Sequence, residues 1–209
     1  MIKHLFPPGF FLLFFYLCIC NSSTAQIPKQ HQAGADPEIK KILINGDSIH
    51  YIERGQGPPV VFVHGALGDY RVWQAQMDTF AEHHRVIAYS RRFAYPNKQV
   101  INDSADYSPA RHAKDLAAFI KALHLEPVHL VGHSYGAFTA LSTTIDHPEL
   151  VRSLSLGEPP VMSLLPSAPG GDTILRNFFQ KALIPAGKAF KSNNNEKAVA
   201  IFLGGVMGD

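Results

Sequence analysis

The sequence predicts an α/β fold, a mainly parallel sheet with helices on both faces, followed by the start of a helical cap. Three observations carry this. Val60–Val63 is a continuous apolar run, as in a strand buried on both faces. Further strand-like runs follow at Arg85–Tyr89, Val128–Val131 and Val151–Leu156, with helical spacing between them. Strands that alternate with helices call for crossover connections and parallel neighbours.

The chain has 209 residues, enough for one domain or one domain and the start of a second. Hydrophobic residues make up 46% and charged residues 17%, which is ordinary globular composition. A net charge of +2 without a basic block argues against nucleic acid as a partner. Both cysteines, Cys18 and Cys20, lie at the N-terminus. A disulfide scaffold, a thiol nucleophile and a thiolate metal site are therefore excluded from the rest of the chain.

Residues 1–25 read as a secretory signal peptide. Lys3 and His4 precede the apolar run Phe10–Ile19, and Ser23-Thr24-Ala25 supplies small residues before Gln26, the expected mature start. The protein is therefore expected to be exported, periplasmic or secreted. An uncleaved anchor is the alternative, but the run is about half of the roughly 20 residues that span a bilayer. Lipid attachment at Cys18 or Cys20 is a further alternative. The preceding residues, Leu17 and Ile19, are larger than such sites usually carry. Residues 26–38, with Pro28, Gly34 and Pro37, read as a linker.

The core is expected over 39–160. In Ile39–Glu53, Ile42 and Ile44 alternate with polar residues, Asn45-Gly46 supplies a turn, and Ile49, Tyr51 and Glu53 continue: a hairpin. Val60–Val63 leads into His64-Gly65-Ala66-Leu67-Gly68. Tyr70–His83 has helical spacing through Trp73, Met77 and Phe80. Ser90–Tyr107 is irregular. Ser108–Leu123 is an amphipathic helix with Ser108 as cap and Pro109 in its first turn. Val128–Val131 is a strand, Tyr135–Asp146 a helix closed by Pro148, and Val151–Leu156 a strand. Residues 161–209 change character. Pro166–Asp172 reads as a loop, Thr173–Ala189 and Glu196–Phe202 as helices, and Gly204–Asp209 as a stretch with no terminal element.

The chemistry centres on Gly132-His133-Ser134-Tyr135-Gly136 between a strand and a helix. A serine in so tight a turn is a candidate nucleophile, and the glycines leave room where backbone and helix converge. The helix N-terminus favours negative charge there. Acyl transfer also needs two oxyanion donors, assigned to the backbone N–H groups of Tyr135 and Ala66. Loss of one such donor typically costs about 3 kcal/mol of barrier. His64 is read as holding backbone groups of its loop, being poorly placed for a base. Arg91, Arg92 and Tyr95 sit at the ligand edge, and the two arginines are read as pairing with nearby carboxylates ahead of contacting an acidic substrate.

His64-Gly65-Ala66-Leu67-Gly68, Trp73, Gly132–Gly136 and His147-Pro148-Glu149-Leu150-Val151, in this order, resemble the α/β-hydrolase fold superfamily. The resemblance covers about Ile39–Pro160. It is closest to the serine-nucleophile, cap-bearing branch of esterases, carbon–carbon bond hydrolases and epoxide-hydrolase-like proteins. Epoxide hydrolases and haloalkane dehalogenases of that branch carry aspartate where this chain has Ser134, which favours ester or related acyl chemistry. The resemblance implies the chain order nucleophile, acid, histidine. None of the eleven histidines stands at the position of the base, so the sequence reads as a C-terminally truncated member. Glu158, directly after a strand at the ligand edge, is read as a structural carboxylate at the hinge ahead of the alternative reading as the triad acid. His83, His84, His112, His124, His129 and His147 read as surface, capping or packing residues.

The expected function is a serine hydrolase with a small-molecule substrate and no cofactor. No His/Asp/Glu cluster suggests a metal, and the nucleotide motifs G-x-G-x-x-G and G-x-x-x-x-G-K-[ST] are missing from the βα loops. A non-catalytic ligand-binding protein on the same fold is the alternative.

Overall fold

A computed structural model describes residues 37–99 and 105–208. The expected signal peptide and nearly all of the linker lie outside the described residues. Six strands form one sheet in the order β1-β2-β4-β3-β5-β6. They are β1 (Lys40–Ile44), β2 (Asp47–Arg54), β3 (Pro59–Val63), β4 (Arg85–Tyr89), β5 (Val128–His133) and β6 (Val151–Gly157). The β1–β2 hairpin is antiparallel, with Ile44 opposite Asp47 across the Asn45-Gly46 turn, and β2 is antiparallel to β4. From β4 onward every pairing is parallel.

The helices are α1 (Gln74–Ala81), α2 (Pro109–Ala122), α3 (Tyr135–Asp146), α4 (Gly171–Phe178), α5 (Ile184–Lys191) and α6 (Asn195–Met207). Alternate strand residues face opposite sides of a pleated sheet, so each inner strand supplies two cores. Val61, Val63, Ile87, Tyr89 and Leu130 pack with Leu116, Phe119 and Ile120 of α2 and Ala140 of α3. Val60, Phe62, Val86 and Ala88 pack on the other side with Trp73 and Met77. Phe62 stacks on Trp73 with ring centroids 4.8 Å apart. Strand β6 forms one border of the sheet, and Ser155 and Leu156 on it are exposed.

A buried ionic network joins three segments. Arg92, in the loop after β4, donates to both carboxylate oxygens of Asp115 on α2, at 2.6 and 2.7 Å. It also pairs with Asp47 at the start of β2. Asn45 of the hairpin turn donates to Asp115 at 2.8 Å. The hairpin, the β4 loop and α2 are thus tied at one point.

Several boundaries differ from the sequence reading, each for a local reason. The helical spacing from Tyr70 begins as a 3-10 turn, Tyr70–Trp73, capped by the Asp69 carboxylate, which accepts from the Arg71 N–H at 2.9 Å. In place of the loop expected over Pro166–Asp172, a 3-10 turn spans Met162–Ser167 and α4 begins at Gly171. The expected helix Thr173–Ala189 is interrupted by a π turn at Phe179–Leu183, just before Pro185, whose ring and missing N–H do not fit a regular α ladder. Gly204 and Gly205 do not end the helix. α6 runs through them to Met207, and Gly208 closes it in the left-handed region. Gly205 is where the helix meets Ala182, and a Cβ there would collide with the alanine methyl.

Candidate active site

The sheet presents Ser134 at the junction of β5 and α3. Its φ of 52° and ψ of −124° put a side-chain-bearing residue in a sparsely populated region. Two things hold it there. The Ser134 N–H donates to the Gly157 carbonyl at the end of β6, at 2.7 Å. The flanking glycines let the chain pass where a side chain could not: a Cβ on Gly132 would lie 2.6 Å from the Ala137 Cα, and one on Gly136 would collide with the carbonyl oxygens of Val63 and His64. Gly136→Ala is therefore expected to push α3 off β3. The cost should lie at the upper end of the roughly 1–3 kcal/mol typical of overpacking, read as a lowered urea midpoint.

The loop after β3 lies against the serine. A Cβ on Gly65 would be 3.3 Å from the Ser134 Cβ and 3.3 Å from the His133 Nδ1. Ala66 and Leu67 are exposed beyond it. The Ala66 N–H meets no acceptor among the described residues. Tyr135 is the first residue of α3, where an N–H has no carbonyl one turn back to receive it. Of the two expected oxyanion donors, Tyr135 follows Ser134 in the chain and Ala66 follows the Gly65 that lies against it.

His64 is fully buried, and its hydrogen bonds settle its form. The Arg91 backbone N–H donates to its Nε2 at 2.9 Å, so that nitrogen carries no proton. Its Nδ1–H donates to the Gly65 carbonyl at 2.8 Å. Burial, and then the nearby Arg91 charge, lower its pKa to about 3. This ring holds the loop in its neutral form.

The two arginines part company. Arg92 pairs with carboxylates as the sequence suggests. Arg91 does not: among the described residues its partners are the carbonyls of His64 and Gly65, the His112 ring and the Tyr135 ring. Only the structure shows this, because nothing in the sequence separates the two neighbours. The Tyr95 ring is exposed and lies 4.6 Å from the Arg71 guanidinium.

Glu158 stands directly after β6 with a φ of 52°. Its side chain is exposed, and its Oε2 lies 3.9 Å from the His133 Nε2. His133 is itself exposed and borders an open cleft of about 470 Å³, shared with Val72, Trp73, Val131 and Leu156. Among the described residues no histidine ring is hydrogen-bonded to the Ser134 hydroxyl. No cluster of three or more metal-ligating side chains occurs among them, and no helix is long and apolar enough to cross a membrane.

A strained serine between a parallel strand and a helix, with a second βα loop against it, defines the architecture of α/β hydrolases. Residues 58–193 match the alpha/beta hydrolase fold family, and the chain belongs to it. It is 28% identical over 119 residues to (E)-2-((N-methylformamido)methylene)succinate hydrolase of Acinetobacter baylyi, covering 54% of this chain and 42% of that protein. It is 32% identical over 114 residues to an epoxide hydrolase of Caballeronia sordidicola, covering 54% of this chain and 34% of the relative. The chain thus spans less than half the length of these curated relatives. Among solved structures, an evolved variant of potato epoxide hydrolase superposes with a TM-score of 0.55 at 30% identity, covering 58% of this chain and 39% of the other.

Proposed function

We propose that this protein is a serine hydrolase acting on an ester or related acyl substrate through an acyl-enzyme on Ser134. The observation that carries this reading is the Ser134 backbone conformation, held by the Gly157 carbonyl with the Gly65 loop against it. In the reaction the Ser134 Oγ attacks the carbonyl carbon, and its proton ends on the departing alkoxide oxygen. The developing oxyanion takes hydrogen bonds from the Ala66 and Tyr135 N–H groups, the alcohol leaves, and water then releases the acid. Serine distinguishes this site from the aspartate that the family resemblance assigns to epoxide hydrolases. Within this reading Glu158 is the candidate acid.

An alkyl fluorophosphonate tests it directly. The Ser134 oxygen displaces fluoride from phosphorus, and intact mass gains one adduct. One adduct on the wild-type protein and none on Ser134→Ala is the expected result. Equal labelling of both proteins sinks the proposal. A second reading, a ligand-binding member without catalysis, draws support from the lack of a histidine partner to the Ser134 hydroxyl among the described residues. It requires an unlabelled wild-type protein that still binds short-chain esters. We also propose export, with cleavage before Gln26. The mass of the protein recovered from its source should start there, and an intact Met1–Ala25 segment would exclude it.

A further inference from the structure

We infer that Arg91 is the positioning residue that fixes both oxyanion donors of the Ser134 site, an inference that rests on the serine-hydrolase reading. Arg91 is only 6% exposed. A buried guanidinium normally offsets its desolvation with a carboxylate. Among the described residues Arg91 has no carboxylate partner, and it spends its donors on the loop after β3. Its Nε donates to the His64 carbonyl at 3.0 Å and its Nη2 to the Gly65 carbonyl at 2.8 Å. Its backbone N–H fixes the His64 ring, which donates to that same Gly65 carbonyl.

The geometry of the peptide unit carries this restraint to the donor. The Gly65 C=O and the Ala66 N–H belong to one rigid plane and point opposite ways. Holding the carbonyl toward Arg91 therefore aims the Ala66 N–H away from it, to the exposed side of the loop. The second donor is reached through the ring of Tyr135, over which the guanidinium sits at 4.9 Å. That ring is fixed at its far end by its hydroxyl, which donates to the Tyr107 carbonyl at 2.5 Å. One planar cation thus braces the loop that carries Ala66 and the residue that carries the other N–H. Lysine does not replace it, because an ammonium cannot present a planar fork to two carbonyls while stacking on a ring.

The test uses the full chain and the fluorophosphonate, with inactivation resolved into kinact and KI. Arg91→Ala should lower kinact about a hundredfold, the scale of a lost oxyanion donor, with KI within about twofold. Arg91→Lys should fall between the two. Kinetics are taken well below the melting point of each variant, so that a merely structural role would leave kinact of the folded protein unchanged. Should Arg91→Ala not fold, Arg91→Lys carries the same comparison. Amide exchange is followed in parallel over peptides spanning residues 62–68 and 131–138, with the 40–54 hairpin as reference. Exchange about tenfold faster in the first two peptides alone is expected. A kinact within about threefold of wild type, with unchanged exchange, overturns the inference. An unlabelled wild-type protein defeats the serine-hydrolase reading instead. The exchange arm then decides alone: selective loosening sustains the bracing role, and uniform or unchanged exchange overturns it.

Discussion

Asp115→Ala is expected to lower the unfolding free energy by about 3–5 kcal/mol, more than the overpacking at Gly136→Ala. The reason is the charge left behind. Asp115 and Arg92 each have a side chain only 4% exposed. Removing the carboxylate strips Arg92 of two short hydrogen bonds and leaves it with Asp47, which is more than a third exposed. Asn45 also loses its acceptor, so the hairpin turn is freed from α2. The pair itself is a weak source of stability, because the desolvation of both ions nearly cancels their attraction. Arg92→Met with Asp115→Leu should therefore recover most of the loss. Urea unfolding of the two proteins decides this. A double variant as unstable as Asp115→Ala would show that the network contributes net stability, and a loss under about 1 kcal/mol in the single variant would show that Arg92 finds other partners.

The strands and helices around Ser134 were legible because local signals and tertiary packing agree there. Val60–Val63 is apolar on both faces and is buried on both. Ser108 caps its helix as its position suggests, accepting from the Arg111 N–H at 3.2 Å. Tyr135–Asp146 begins and ends where the glycine turn and Pro148 place it. Legibility failed where a distant partner decides. Gly205 looks like a helix breaker until Ala182 is seen against it. Arg91 and Arg92 are chemically identical neighbours, and only the loop geometry sends one to carbonyls and the other to carboxylates. The site divides in the same way. The nucleophile turn is a local matter of glycines, whereas the carbonyls of the loop that carries Ala66 meet Arg91 in the loop after β4, a strand whose register against β3 no motif records.

Acid should destabilise the protein from about pH 6.5 downward, well before carboxylates titrate. Two buried rings cause this. Burial, reinforced by the Arg91 charge, lowers His64 from 6.5 to about 3 and His112 to about 4. Both folded values lie below the unfolded one, so above pH 6.5 neither state binds the protons and the rings add no pH dependence. Between about 6.5 and 4 the unfolded chain holds two protons that the folded protein refuses. Stability then falls with falling pH, by about 1.4 kcal/mol per unit for each ring. The slope weakens only when His112, and then His64, protonates in the fold. Over that window the loss reaches several kcal/mol, comparable with the whole stability of an ordinary domain. His112 offers the cleaner variant. Its Nδ1 is buried without a partner among the described residues, and it packs edge-on to Phe93 and Tyr135. His112→Phe should keep that packing and remove about half of the slope of urea midpoint against pH between 6.5 and 5. An unchanged slope would mean that His112 is protonated in the fold. The remaining half belongs to His64, whose Nε2 accepts the Arg91 N–H only while it is neutral. Its protonation would break that hydrogen bond and set a second positive charge beside Arg91, loosening the loop that carries Ala66. That protonation falls near pH 3, below the window in which the fold itself is lost, so labelling of Ser134 should fail together with global unfolding, and a loss at distinctly higher pH would show that the loop yields first.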